Sequence, residues 1–190
     1  MTEKSGMDWG GVAATHIVLD YHKRLKGLFI QYNALDMRES TLRDAVCRQI
    51  LMEAEIHSKI DQDLLYPAIQ ACCDEDGRRR VASAFAEHQP ILEWVDKIRE
   101  LNKEGHNWDT EMESLIEVLE THLETESREI IPLAEESIPI DQMGSLGMRI
   151  QLHKIDLEQE PEYADSRPEV TQNPNGGEQM RGRRPDEEAA

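Results

Sequence analysis

The sequence predicts an all-α protein: an up-down-up-down four-helix bundle over residues 9–138, then an acidic, proline- and glycine-containing tail over 139–190 that is mostly disordered. Three observations predict it. Apolar residues recur at steps of three and four along four long segments, the spacing of one helix face. Proline is scarce before Pro139, whereas the chain from Pro139 onward holds five of the eight prolines. A short motif, His-x-x-x-carboxylate, is written twice, as His57-Ser58-Lys59-Ile60-Asp61 and His122-Leu123-Glu124-Thr125-Glu126. A spacing of four places both side chains on one helix face, one turn apart.

The first helix is expected from Trp9 to Asn33, with Val18, Leu19, Leu25 and Phe29 on its apolar stripe, His22 inside the stripe, and Gly27 weakening it. The second starts at the cap Ser40-Thr41 and reaches Cys72, with Val46, Ile50, Ala54, His57, Asp61, Leu64 and Ala68 on one face. Pro67 lies inside that pattern and is expected to kink or locally unwind it. Asp74-Glu75-Asp76-Gly77 reads as a turn before the third helix, whose stripe is Val81, Phe85, His88, Leu92 and Val95, with a distortion expected at Pro90. The fourth begins between Asn107 and Asp109 and carries Met112, Leu115, Val118, Leu119, His122, Glu126, Ile130 and Leu133. Beyond Pro139 periodicity fades, and Asn173-Pro174-Asn175-Gly176-Gly177 lies in a stretch poor in apolar residues, the composition of disorder. Residues 140–155 are expected to form a short extra helix over the bundle.

Composition removes several classes of function. The chain has 190 residues, 38% hydrophobic and 32% charged, enough for one domain with a sizeable core. Its formal net charge of -18 repels nucleic-acid phosphates. No apolar run is long enough to span a membrane, and Met1–Gly6 lacks the apolar core of a signal peptide, so a cytoplasmic location is expected. Three cysteines, Cys47, Cys72 and Cys73, two of them adjacent, make a poor disulfide framework and suit a reducing compartment.

The chemistry is expected where the stripes carry histidine. His22, His57, His88 and His122 sit near the middle of four different helices, and mid-helix core positions of a bundle converge on one interior level. Asp61 and Glu126 add two carboxylates. A single histidine on an apolar stripe is ordinarily a core residue with a hydrogen-bond partner, and a buried, unpaired Asp61 is costly. Four such histidines, two of them followed by a carboxylate, point instead to a metal site. Imidazole and carboxylate together suit iron, manganese or zinc, and six ligands exceed what one tetrahedral zinc takes. A centre of two metals with open positions for a small ligand is the natural reading. His16, His106 and His153 read as solvent-facing, with His16 as the reserve ligand.

These residues resemble the hemerythrin-like, or HHE cation-binding, domain family over roughly residues 12–136. The resemblance rests on Leu19-Asp20-Tyr21-His22, on His57 to Asp61 running to Leu65-Tyr66-Pro67, on Glu87-His88, and on His122 to Glu126 running to Ile131-Pro132. It implies a four-helix bundle holding two non-haem iron ions, with His22, His57, His88 and His122 as terminal ligands and Asp61 and Glu126 as bridging carboxylates. The family's members bind dioxygen, sense iron or oxygen, or react with peroxide or nitric oxide.

Two departures from the family pattern matter. The second-helix carboxylate is Asp61 where Glu is usual, one methylene shorter. The third helix offers one histidine where oxygen carriers have a His-x-x-x-His pair, because Ala84 and Leu92 flank His88 at that spacing. One iron then has an extra open position, which leans the expectation away from oxygen transport. The resemblance thus implies a di-iron protein that binds or senses dioxygen, nitric oxide, peroxide or iron. The alternatives are a di-iron oxidase, peroxidase or nitric-oxide-handling enzyme, and a non-catalytic helical interaction module. Leu25, Ile60, Leu92 and Leu119 are expected to line the pocket. Tyr21 and Tyr66 are candidates to donate a hydrogen bond to a bound ligand, with a structural role as the commoner alternative.

Overall fold

The computed structural model describes residues 12–36, 40–103, 108–161 and 163, and among these every regular element is helical. Seven α-helices, α1 (Ala14–Ala34), α2 (Ser40–Ile60), α3 (Tyr66–Cys72), α4 (Glu75–Lys103), α5 (Asp109–Thr125), α6 (Ile131–Ser137) and α7 (Ile140–Glu158), alternate with two π-helical turns, Asp61–Leu65 and Glu126–Ile130. The π turns join α2 to α3 and α5 to α6 without a break, so the described residues form five helical rods. α1 packs on α2, α2 on α4, α4 on α5 and α5 on α1, which closes the four-rod bundle. The fifth rod, α7, lies against α1 and α2. No helix among the described residues is long and apolar enough to cross a membrane.

The helical stripes bury as expected, and they bury in two separate apolar clusters. One holds Val18, Tyr21, Ile56, Ile60, Val81, Ala84 and Ile130 with the inner face of α7. The other holds Leu25, Phe29, Ile50, Ala54, Ile91, Val95, Leu115 and Leu119. On α1 and α4 the division between the clusters falls at the histidine. The polar residues form a layer across the bundle with apolar packing above and below it.

Four details depart from the sequence expectations. Residues 75–77 are already the first turn of α4, because Asp74 is its cap: the Gly77 N–H donates to Asp74 Oδ1 at 2.8 Å. Glu75 and Asp76 complement the positive helix end, and a Cβ on Gly77 would sit 2.7 Å from Cys73 Cβ. Phe85 does not enter the core. It is 47% exposed, and Ala84 and Ile91 take the buried positions on that stripe. Pro90 does not interrupt α4. It is exposed, and so is Ala86 one turn earlier, so the distortion a proline brings falls on the solvent side of the helix.

The fourth detail concerns the domain boundary. The extra helix expected at 140–155 is α7, and it belongs to the bundle rather than to a disordered tail starting at 139. Met143, Leu146, Gly147, Ile150 and Leu157 are buried by it, and Gly147 lies so close to the Val12 carbonyl that a Cβ would be 2.2 Å away. The expected disorder of residues 164–190 and the expected helix start at Trp9 lie outside the described residues.

Candidate metal centre

All six expected residues come together. His22 is presented by α1, His57 by the last turn of α2, His88 by α4 and His122 by the last turn of α5. Asp61 and Glu126 are each the first residue of a π turn. None of the six is more than 3% exposed. The π turns have a local cause and a positional effect. The Tyr66 N–H reaches back to the Asp61 carbonyl, and the Ile131 N–H to that of Glu126, five residues rather than four. The wider turn lets Pro67 and Pro132 enter at the start of the next α segment, where the lost donor costs least. The unwinding expected at Pro67 takes this form, and the second copy repeats it. Single π turns inside α-helices recur at functional sites.

The contacts are short and centred on Glu126. Its Oε2 lies 3.0 Å from His22 Nε2, 3.3 Å from His57 Nε2 and 3.8 Å from His122 Nε2. Asp61 Oδ2 lies 3.2 Å from His57 Nε2 and 3.5 Å from His88 Nε2. His88 and His122 face each other at 2.9 Å through their Nε2 atoms. Two groups could each hold a cation, His57, Asp61, His88 and His122, and His22, His57 and Glu126, with the ligand atoms of each within 4.8 Å of one another. His57 is common to both.

Burial sets the protonation states. Removal from water pushes the His57 imidazole down to about 4 and His88 down to about 2, so both rings stay neutral and keep a lone pair to offer. Burial, and then the neighbouring Glu126 carboxylate, push Asp61 upward. Burial acts the same way on Glu126, but the hydrogen bond from His22 and the adjacent His57 imidazole outweigh it and hold its carboxyl below the usual range. Polar atoms remain without a hydrogen-bond partner: both carboxylate oxygens of Asp61, Oε1 of Glu126 and Nε2 of His57. A buried polar atom without a partner costs on the order of 1–3 kcal/mol. A cation among them removes that cost, and the donor set of nitrogen and carboxylate oxygen fits a first-row metal.

A second layer of side chains orients the rings. Ser127 Oγ meets His22 Nδ1 at 2.8 Å, Glu87 Oε2 meets His122 Nδ1 at 3.0 Å, and the Gln62 amide approaches His88 Nδ1 at 3.3 Å. Fixing the outer nitrogen of an imidazole fixes which nitrogen faces inward. None of the three was expected from the sequence. The available signal was adjacency: Gln62 follows Asp61, Ser127 follows Glu126 and Glu87 precedes His88. Glu87 and His122 also line a surface groove of about 350 Å³ with Pro90, Glu117, Val118 and Thr121.

The remaining expectations divide. Leu25, Ile60 and Leu119 are buried beside the polar layer, whereas Leu92 is only half-buried. Ala84, the position of a possible fifth imidazole, is 3% exposed and carries no donor. His16 is exposed and outside both groups. His153 bonds Asp63 at the surface, 3.1 Å away. His106 lies outside the described residues. The Tyr21 hydroxyl is buried without a hydrogen-bond partner, whereas the Tyr66 hydroxyl is hydrogen-bonded to Glu126. The Tyr66 ring stacks on His88, nearly parallel at 9° and 5.4 Å between centroids.

Comparison with known proteins agrees with this geometry. The family model described as the Hemerythrin HHE cation binding domain matches residues 13–134. Two curated relatives, the uncharacterized protein Rv2633c of Mycobacterium tuberculosis and the uncharacterized protein Mb2666c of Mycobacterium bovis, are each 26% identical over 119 residues, 63% of this chain and 70% of the relative. The crystal structure of a Hemerythrin HHE cation binding domain-containing protein, an Rv2633c homolog from Mycobacterium kansasii, superposes with a TM-score of 0.65 at 26% identity, covering 77% of this chain and 87% of the other.

Proposed function

From the premise that this chain belongs to the hemerythrin HHE cation-binding family, we propose that it is a non-haem di-iron protein that binds or senses a small ligand, dioxygen, nitric oxide or peroxide. The observation that carries this reading is the convergence of four buried imidazoles and two buried carboxylates, among which both oxygens of Asp61, Oε1 of Glu126 and Nε2 of His57 lack a hydrogen-bond partner. His22, His57, His88, His122, Asp61 and Glu126 would hold the metals. Two bound iron ions would supply redox chemistry and open positions for the ligand; manganese and zinc accept the same donors.

The protein's own residues do the rest. Ser127, Gln62 and Glu87 hold three of the rings in orientation. The two apolar clusters keep bulk water from the layer between them. Ala84 leaves the α4 side with one imidazole, and a metal held there with fewer protein donors favours an exogenous ligand.

The test is metal content and the optical spectrum of protein purified in air. Two irons per chain with oxo-bridge charge-transfer bands in the near ultraviolet are expected. A colourless protein that takes up no metal even after anaerobic iron loading would overturn the reading. The same open α4 side favours, as a second reading, turnover of peroxide or nitric oxide. Steady consumption of either by the iron-loaded protein distinguishes it from simple binding.

A further inference from the structure

α7 is apolar on two opposite sides. Its inner side, with Met143, Leu146, Ile150 and Leu157, is buried. Its outer side carries Met148, Leu152 and Ile155, which are 56%, 57% and 48% exposed. At about 100° of rotation per residue these three fall within a sector of about 60°, opposite the buried set. A surface helix ordinarily turns polar residues to water there, and α7 has a second apolar stripe instead. Single exposed apolar residues are common on any protein, and Val12, Ile30, Leu42 and Phe85 are of that kind, each on a different segment. Three in one row on the outermost line of a helix are not, and such a row marks an interaction surface.

The charges beside the row say what covers it. Arg149 and Asp156 are exposed on one flank of the stripe, seven residues and two turns apart. Lay one α7 antiparallel on another, with the two-fold axis passing between Leu152 and His153. Arg149 then stands level with the partner's Asp156, and Asp156 level with the partner's Arg149. In the same register the stripe residues alternate along the seam: Met148, the partner's Ile155, Leu152, the partner's Leu152, Ile155, the partner's Met148. Neighbours differ in height by one or two residues, about 1.5–3 Å, so the side chains interdigitate. Charge and shape thus agree on a single self-complementary register. The end of the chain does not fit the row as well. After α7 it is drawn toward α2 and α4, where Tyr163 is fully buried, its hydroxyl 3.0 Å from Lys59 Nζ and its ring facing Arg99. Residues 164–190 hold only two large apolar residues, Val170 and Met180.

We infer that the outer face of α7 is a self-association surface, on which two copies of this chain pair antiparallel through Met148, Leu152 and Ile155, with Arg149 against the partner's Asp156. The two-fold symmetry makes each contact twice. The inference stands apart from the metal reading, because none of the six residues of the centre is on α7. α7 has 19 residues, a length of about 28 Å, so one pair of such helices makes an interface at the small end of the stable range. The net charge of -18 opposes association of two copies at low salt, and salt at about 0.15 M screens most of that repulsion beyond about 8 Å. Dimers are therefore expected at micromolar protein concentrations.

The test is sedimentation equilibrium of the full chain at about 0.15 M salt, over protein concentrations from about 1 to 200 µM. The mass is expected to rise from that of one chain to that of two. Leu152→Glu changes an exposed residue, so helical content by circular dichroism is expected to stay the same while the mass remains that of one chain throughout. Arg149→Asp sets carboxylates level with one another and is expected to weaken dimerisation several-fold. Adding Asp156→Arg to it exchanges the charges and is expected to restore the wild-type dissociation constant. A wild type that stays a single chain over the whole range overturns the proposal, and cosedimentation of that single chain with phosphatidylcholine vesicles would make the stripe a lipid contact instead. Dimers that survive Leu152→Glu place the interface elsewhere and also overturn it. Failure of the charge exchange to restore association overturns the antiparallel register.

Discussion

The two copies of the His-x-x-x-carboxylate motif share a backbone and divide the labour. Both place the carboxylate at the head of a π turn, and both follow it with proline. The longer Glu126 reaches the middle of the layer and approaches three imidazoles, at 3.0, 3.3 and 3.8 Å. The shorter Asp61 approaches two, at 3.2 and 3.5 Å. Glu126 is held ionised by His22 and His57, whereas Asp61 is pushed toward its neutral form by burial and by Glu126. One methylene and one neighbour thus separate a carboxylate built into the centre from one that depends on a metal to stay charged.

Breaking that asymmetry has the largest expected effect. Glu126→Ala removes the oxygen common to three rings, and iron content is expected to fall from two per chain to near zero. Asp61→Ala is expected to leave partial occupancy, through His22, His57 and Glu126. Equal loss in both, read by metal analysis, would make the two copies equivalent and the distinction wrong.

The metal-free protein sharpens the comparison through pH. The folded-state values of His57 and His88 lie below 6.5, at about 4 and about 2. As pH falls below 6.5 the unfolded chain takes up protons that the folded chain refuses, so stability falls from pH 6.5 toward 4. Asp61 acts with the opposite sign. Its folded-state value lies above 3.8, so stability is lost as pH rises past 3.8 and the buried carboxyl is forced to ionise. Metal-free Asp61→Asn is therefore expected to be more stable than wild type at neutral pH and to keep the acid-side loss. Urea midpoints measured against pH check both signs. An Asp61→Asn midpoint flat between pH 6.5 and 4, or one unchanged from wild type at pH 7, would contradict them.

The smallest effect is expected one layer out. Glu87→Gln keeps an acceptor for His122 Nδ1 but removes its charge. Iron affinity is expected to weaken about tenfold, the lower end for such supporting partners, with stoichiometry retained. Competition against a chelator reads the difference.

The centre was legible because its residues violate the ordinary use of a helix face. Asp61 and Glu126 on apolar stripes, each four residues after a histidine, have few explanations other than a shared charge inside. The helices were legible from periodicity, and Pro67 gave notice of its own distortion. What escaped notice depends on the third dimension. Glu87, Ser127 and Gln62 look like surface residues in the sequence, and only the rotation of the π turns and of α4 brings them onto the rings. Phe85 fits the stripe by spacing, yet its role is set by the Tyr66 ring beside it. The turn expected at Asp74–Gly77 was misplaced because glycine there serves close packing on Cys73, not a change of direction. α7 was read as an appendage because its polar, proline-flanked surroundings hide a face whose partners, Ala14 to Tyr21, lie at the other end of the chain.

That last contact has a consequence for the order in which the molecule is made. All six residues of the centre lie between positions 22 and 126, and α7 begins at Ile140. As the chain leaves the ribosome, every group needed for the centre has been synthesised while the outer side of α1 is still bare. A nascent chain that gathers its polar layer early does so around a helix whose Val18 and Tyr21 side is uncovered. Only when Met143, Leu146 and Ile150 follow, with Gly147 seated against the Val12 carbonyl, is α1 closed over by α7.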